Sequence, residues 1–221
     1  MIKCIFLDYT GTMVKEDEPY TRKLIEYFIT HCDIKNPSEL LKIVWTMIKD
    51  LEFNCVHDSF IMKDEMVDRI LDYFENNYGL NGDKQYMHEL WRNSWIYAPL
   101  YEDVKPFFKR IECPVYVVTN DDICYINQSL KDKELEPDGI ISAEIVRACK
   151  PHTDMLLYGI ELTGLKPEEI VFIGDSVTSD ISSAIKTGIT PYLIDRKHTV
   201  DRSTLDDRVT VINSLDEVMF S

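Results

Sequence analysis

Short apolar runs rich in β-branched residues alternate with amphipathic stretches through the second half of the sequence. They span residues 115–119, 139–142, 170–173, 192–194 and 209–212, and a similar run opens the chain at residues 2–7. Runs that are apolar on both faces are typical of parallel strands that helices cover on both sides. The alternation therefore predicts an α/β fold with a Rossmann-like parallel sheet at its core.

A long segment separates the first of these runs from the second. A crossover between parallel strands needs only about a dozen residues and a helix, whereas roughly a hundred residues lie here. The segment shows helical periodicity at residues 21–31, 38–51, 63–78 and 84–97 and no convincing strand. We therefore predict a core formed by residues 1–14 and 99–221, with an inserted, all-helical cap at residues 15–98.

The charge balance limits the partners that the chain can bind. There are 39 aspartates and glutamates against 24 lysines and arginines, which gives a formal net charge of −15. Such a field repels nucleic-acid backbones and anionic lipid unless a basic patch overrides it, and the sequence shows no such patch. We expect a small-molecule partner, and neither nucleic acid nor a membrane. The oligomeric state is not readable from the sequence.

The six cysteines are scattered without a Cys-x-x-Cys pair, which indicates neither a zinc site nor a disulfide framework. The chain opens directly into a strand-like run rather than a cationic flank and a long apolar core, and no apolar run elsewhere approaches membrane-spanning length. We therefore expect reduced thiols and a cytoplasmic protein.

Polar residues fall at the carboxyl ends of three predicted strands. Asp8 follows the first run, Thr119 ends the second, and Asp175 follows Gly174 at the end of the run that begins at residue 170. In an open parallel sheet, ligands bind in the crevice beyond these strand ends. Lys150, on a loop just ahead of a proline, can enter the same crevice. We expect all four side chains to meet there.

Two carboxylates at close range are costly unless a cation lies between them. Mg²⁺ is the usual divalent cation where a phosphate must also bind, so we expect it between Asp8 and Asp175. Asp8 could then attack phosphorus to form an aspartyl-phosphate. Lys150 and Thr119 would supply positive charge and a hydrogen-bond donor to the phosphoryl oxygens.

Four motifs, taken together and in order, resemble the haloacid dehalogenase superfamily. They are Asp8-Tyr9-Thr10-Gly11-Thr12, Thr119-Asn120, Lys150-Pro151, and Gly174-Asp175-Ser176 with Asp180 five positions after Asp175. The resemblance covers nearly the whole chain, because the helical insertion directly after the first motif is similar to the C1 cap of that family. Any one motif alone would be a weak signal.

The resemblance assigns metal-related roles to the acidic residues. Asp8 would be both nucleophile and Mg²⁺ ligand, and the backbone carbonyl of Thr10 and the carboxylate of Asp175 would complete the protein ligands. Asp180 would act from outside the ligand set, through metal-bound water or by positioning Lys150.

The resemblance also implies a phosphate site and an activity. Thr119 and the amides near Gly11 would hold the phosphoryl oxygens, with Asn120 nearby. The implied activity is that of a Mg²⁺-dependent phosphatase that hydrolyses a small phosphorylated metabolite.

Thr10 is the main departure from the family pattern, in which phosphatases carry an aspartate two residues after the nucleophile. That aspartate protonates the leaving oxygen and later activates water. A threonine hydroxyl cannot exchange a proton near neutral pH, so a contribution of roughly 10²–10⁴-fold is missing. We expect a substrate whose leaving group needs little protonation, such as an acyl phosphate, or another group in place of the acid.

Thr10 also leaves three other activities open. A phosphonate hydrolase would need a cap lysine, for which Lys63 is the candidate, although its simpler interpretation is a solvated helix lysine. A dehalogenase is disfavoured by Asp175, since such members of the family lack the metal-binding pair. A regulatory protein that binds phosphate without turnover is the third alternative. His57, on a predicted cap turn, is expected at the surface.

Overall fold

A six-stranded, fully parallel sheet forms the centre of the protein in a computed structural model that describes residues 1–16 and 19–219. The strands are β1 (Cys4–Leu7), β2 (Val115–Thr119), β3 (Gly139–Ser142), β4 (Ile170–Gly174), β5 (Thr190–Ile194) and β6 (Thr210–Ile212). Their order across the sheet is β3-β2-β1-β4-β5-β6. The predicted α/β fold with a parallel core is confirmed, and each strand boundary falls within two residues of its prediction.

Helices cover both faces of the sheet and flank it at one end. They are α1 (Pro19–His31), α2 (Pro37–Asn54), α3 (Lys63–Tyr78), α4 (Lys84–Tyr97), α5 (Val104–Arg110), α6 (Ile123–Asp132), α7 (Ala143–Val146), α8 (Asp154–Thr163) and α9 (Ser182–Thr187). Within the described residues, no helix is both long and apolar enough to pass through a membrane.

The central strand β1 is apolar throughout because its side chains are buried on both faces of the sheet. Successive side chains of a strand point to opposite faces. Ile5 and Leu7 lie in a core cluster with Phe107 of α5, whereas Phe6 lies in the opposite cluster with Met155 of α8. Both faces of the sheet are therefore buried in apolar clusters, as the apolar runs predicted.

Helices α1 to α4 lie between β1 and β2 in the chain and share a third apolar cluster, which includes Phe28, Leu71, Phe74 and Trp91. Helices α3 and α4 have the predicted bounds, whereas α2 runs three residues beyond its predicted end. In the part of this segment that the structure describes, four α-helices thus lie between β1 and β2. Residues 17, 18, 220 and 221, which belong to the predicted cap and core ranges, lie outside the described residues.

Among the contacts that attach this helical insertion to the core, two involve α4 and the segment after α2. On one side, α4 packs against α6, and the Ser129 hydroxyl donates to the Ile96 carbonyl (2.6 Å). On the other, the segment after α2 pairs with the segment before Lys150 through an antiparallel bridge between Val56 and Ala148. We call this contact the Val56–Ala148 bridge.

Gly159 lets α8 approach the sheet closely. A Cβ atom at this position would lie 2.5 Å from Phe6 Cζ and 2.8 Å from Ile141 Cδ1, both on buried side chains. Overpacking of this kind costs about 1–3 kcal/mol. We predict that Gly159→Ala lowers the free energy of unfolding by that amount in urea titrations. Glu161→Ala, at an exposed position of the same helix, should change it by less than about 0.5 kcal/mol; equal effects of the two substitutions would contradict the packing argument.

Candidate active site

Asp8, Thr119 and Asp175 lie at adjacent strand ends because of the register of the sheet. Leu7 is opposite Ile173 of β4 and Val117 of β2, so the residues that follow emerge at one edge. The Asp8 N–H continues the ladder by donating to the Ile173 carbonyl (2.9 Å). The structure thus brings the three predicted strand-end residues to a common crevice.

Two glycines make room for the carboxylates. Gly11 has φ of +82°, and a Cβ atom there would lie 2.3 Å from Asp175 Oδ2. A Cβ atom on Gly174 would lie 2.5 Å from the Asp180 carboxylate. A larger residue at either position would displace an aspartate. The Gly11 N–H donates to the Val14 carbonyl (2.9 Å) and is therefore engaged within its own loop. Its predicted hydrogen bond to a phosphoryl oxygen stays a prediction.

Lys150 enters the crevice and bridges two aspartates. Its Nζ contacts Asp8 Oδ1 and lies 2.7 Å from Asp180 Oδ1. The three side chains are almost fully buried. Burial alone would lower the pKa of Lys150, but the Asp180 and Asp8 carboxylates outweigh it and hold the pKa above its ordinary value. The lysine therefore stays charged.

Asp8, Asp175 and Asp180 form an acidic cluster whose candidate ligand atoms all lie within 4.8 Å of one another. Burial, opposed in part by Lys150, raises the pKa of Asp8 to about 7. Burial and then the charges of Asp8 and Asp180 raise the pKa of Asp175 to about 8. Three carboxylates face one ammonium, so the ionised cluster carries excess negative charge. Its chemistry fits a hard divalent cation with oxygen ligands.

Asn120 and Thr119 have protein partners next to the cluster. The Asn120 amide accepts from the Lys150 N–H (2.7 Å) and donates to the Lys150 carbonyl (3.3 Å), which fixes the backbone of the lysine. The buried Thr119 hydroxyl donates to Asp121 Oδ2 (3.0 Å). Substrate contacts of both residues stay predictions.

Asp121 is a candidate site residue that the sequence analysis missed. Besides accepting the Thr119 hydrogen bond, it lies 3.9 Å from Lys63 Nζ, and Lys63 is paired with Glu52 of α2 at 2.8 Å. The position of Asp121, two residues after Thr119, is a local turn signal that could have identified it. Nothing in the pattern of the amphipathic helix α2 singles out Glu52.

The expectation that Lys63 is a solvated lysine is wrong. Its side chain is 9% exposed, because the start of α3 lies against the core, where the Lys63 N–H donates to Asp122 (3.0 Å). Burial would lower the pKa of the Lys63 side chain, but Glu52 and Asp121 outweigh it and raise the pKa. His57, by contrast, is exposed, as expected.

A cavity of about 1050 Å³ lies between the core and the helical insertion. Asp8, Lys150 and Asp175 line its core side, together with the exposed residue Thr10. The role of the Thr10 carbonyl as a metal ligand stays a prediction.

The chain belongs to the haloacid dehalogenase-like hydrolases, since its sequence matches that family over residues 2–188. Glyceraldehyde 3-phosphate phosphatase of Methanocaldococcus jannaschii is 36% identical over 85 residues, which cover 37% of this chain and 36% of that relative. The match therefore spans little more than a third of the relative's length.

Solved structures of family members share the fold over almost the whole chain. YfnB of Bacillus subtilis, a putative hydrolase of the family bound to magnesium, has a TM-score of 0.73 at 18% identity, with 98% of this chain and 96% of that chain covered. The L-2-haloacid dehalogenase of Xanthobacter autotrophicus has a TM-score of 0.77 at 15% identity, with 97% and 96% covered. A phosphatase of Thermococcus onnurineus has a TM-score of 0.65 at 21% identity, with 98% and 95% covered.

The acidic cluster predicts an unusual dependence of stability on pH. The raised pKa values of Asp8 and Asp175 mean that the folded, metal-free protein holds protons that the unfolded chain has lost above about pH 4. Stability therefore falls as the pH rises from about 4 to about 8. We predict a decreasing free energy of unfolding in EDTA over this window, measured by urea titration, and a weaker decrease in Asp175→Asn.

The exposed substitution Asp207→Asn serves as the control and should keep the wild-type slope. Saturating MgCl₂ near pH 8 should raise the melting temperature of the wild type, because a ligand that binds only the folded state stabilises it. It should have less effect on Asp175→Asn. A wild-type stability in EDTA that rises with pH would contradict the prediction.

Proposed function

We propose that the protein is a Mg²⁺-dependent phosphatase that hydrolyses a small phosphorylated metabolite through an aspartyl-phosphate on Asp8. The observation that carries the proposal is the acidic cluster on the core side of the cavity, with the Lys150 ammonium between Asp8 and Asp180. A phosphoryl group is the ligand that suits paired carboxylates, a fixed ammonium and a divalent cation together.

The comparisons with known proteins support a Mg²⁺-dependent phosphatase activity. The matched part of a relative named as a glyceraldehyde 3-phosphate phosphatase shares 36% of its residues with this chain, and the YfnB structure is described with magnesium bound. The unpaired cysteines, six among the described residues, are in keeping with a reducing compartment, and we place the enzyme in the cytoplasm.

The reaction proceeds in two displacements. In the first, a carboxylate oxygen of Asp8 bonds to phosphorus, and the bond from phosphorus to the leaving oxygen breaks with its electron pair on that oxygen. In the second, water adds to phosphorus, the aspartyl-phosphate bond breaks, and the Asp8 carboxylate returns while the hydrogens of the water leave on inorganic phosphate. Lys150 stabilises the charge on the phosphoryl oxygens throughout.

Asp8, Asp175 and the Thr10 carbonyl would hold the cation. When bound, Mg²⁺ supplies charge neutralisation, which lets an anionic phosphate approach the carboxylates. Asp180 keeps Lys150 in place through their 2.7 Å contact. Asn120, directly after β2, holds the backbone of Lys150. Thr119, the last residue of β2, offers its hydroxyl to the phosphoryl group once that hydroxyl leaves Asp121.

The alternative activities fit the site less well. A phosphonate hydrolase needs a neutral lysine amine to form a Schiff base, whereas Lys63 is paired with Glu52 and its pKa is raised. A dehalogenase needs no cation, and the two further carboxylates beside Asp8 would repel a haloacid anion. A regulatory phosphate-binding protein remains the alternative in which Thr10 abolishes turnover.

A substrate panel with and without Mg²⁺ tests the activity. We predict turnover of acyl phosphates that EDTA abolishes and that Asp8→Asn lowers by at least roughly 10⁴-fold, because the nucleophile is lost. Asp207→Asn is the matched control for the loss of a carboxylate and should keep wild-type turnover. Activity that survives either chelation or Asp8→Asn would contradict the mechanism, and phosphate binding without turnover would favour the regulatory alternative.

Thr10 sets the preference among substrates. Because it cannot protonate a leaving oxygen, we predict faster cleavage of acyl and aryl phosphates than of alkyl phosphates. Thr10→Asp should raise kcat for alkyl phosphates, by up to roughly 10²-fold, and change acyl phosphate turnover much less. Equal wild-type rates for the two classes, or an unchanged alkyl rate in Thr10→Asp, would contradict this role of Thr10.

A further inference from the structure

The cavity changes character from its core side to its cap side. Its floor carries Asp8, Lys150 and Asp175, whereas all four cap helices contribute apolar side chains to its roof. They include Ile25, Val44, Ile48, Val67, Trp91 and Trp95. We call this part of the cavity the apolar chamber. The volume of about 1050 Å³ is that of a pocket for a whole organic molecule rather than for phosphate alone.

Two polar side chains beside the apolar chamber, those of Ser94 and Lys63, are satisfied within the protein. The Ser94 hydroxyl donates to the Trp91 carbonyl (2.7 Å), and Lys63 is ion-paired with Glu52. Against the apolar side chains of the chamber, a substrate body rich in hydroxyl groups would lose its bonds to water without equivalent replacements. An apolar body would gain from the same transfer.

We infer that the substrate is an acyl phosphate whose acyl group has an apolar body, and that this body occupies the apolar chamber. The inference rests on the proposed phosphatase function. It joins two independent features: Thr10, which favours a leaving group that departs as an anion, and the chamber, which favours an apolar leaving group. A carboxylate with an aliphatic or aromatic body meets both requirements, since its oxygen leaves without a proton.

Acyl phosphates of increasing chain length test the inference, because their leaving groups differ in apolar area and hardly in acidity. Each buried methylene adds roughly three- to fourfold to binding. We expect kcat/KM, corrected for spontaneous hydrolysis, to rise on the order of a thousandfold over the six methylenes that separate acetyl from octanoyl phosphate. The rise should come mainly through KM, since the chain is bound equally in the ground and transition states.

Two isoleucines of α2 provide matched variants. Both are half-buried and pack against the cap cluster, but Ile48 lines the cavity and Ile43 does not. Ile48→Asn should lower the ratio of octanoyl to acetyl phosphate kcat/KM about tenfold, whereas Ile43→Asn should keep the wild-type ratio. A wild-type ratio near one, or equal losses in the two variants, would overturn the inference.

Binding without turnover separates this inference from the proposed function. All three tryptophans of the chain, Trp45, Trp91 and Trp95, line the cavity, so intrinsic fluorescence reports on its occupation. Octylphosphonate should change the wild-type fluorescence at a concentration at least tenfold lower than methylphosphonate does. If octylphosphonate binds more tightly but acyl phosphates are not turned over, the proposed phosphatase activity is wrong, whereas the chamber is still supported as the site of an apolar body. Equal responses to the two phosphonates would overturn the chamber as the site of the apolar body.

Discussion

The contact of Lys150 with Asp8 and Asp180 is the interaction on which the rest of the site depends. Buried like charges repel strongly where the dielectric constant is low, and removing a central cation would leave them uncompensated. The sheet delivers Asp8 and Asp175 from neighbouring strands, and the turn after β4 delivers Asp180. Lys150 comes from a separate loop whose backbone is held by Asn120, directly after β2. Its contacts therefore link residues that follow β2, β1 and β4 in one charged site.

A second charged group lies where the cap meets the core. Glu52 and Lys63 come from cap helices, and Asp121 comes from the loop after β2, next to Thr119. In this group the Lys63 ammonium is paired with a cap carboxylate and lies near a core carboxylate, so opposite charges meet across the junction. The apolar chamber lies on the cap side of the cavity, so charged side chains line one side of the cavity and apolar side chains line the other. One site can thereby hold a phosphoryl group and an apolar body at the same time.

Much of this arrangement could be predicted from sequence because it follows from periodicity and order. The strands were predicted from apolar runs, and the insertion was predicted from a crossover much longer than parallel strands need. The meeting of Asp8 with Asp175 followed from the parallel order of the strands. Lys63 could not be predicted, because its sequence neighbours Asp64 and Glu65 suggest a solvated face, whereas its real partners Glu52 and Asp121 are distant in the chain. The engagement of Gly11 and Thr119 with their own loops depends on atomic geometry that no motif encodes. The chemical roles of the site residues stay predictions.

The Val56–Ala148 bridge bears on how freely the cap and the core can be exchanged between proteins. It pairs the chain that leaves α2 with the chain that leads into Lys150, and the Cys149 N–H donates to the Cys55 carbonyl (2.9 Å) beside it. A foreign cap joined only at the two ends of the insertion would lack this backbone ladder. The loop that presents the lysine would then lose part of its support. Selection for a new substrate is thus expected to act on single side chains of the chamber, with the cap backbone inherited together with the lysine loop.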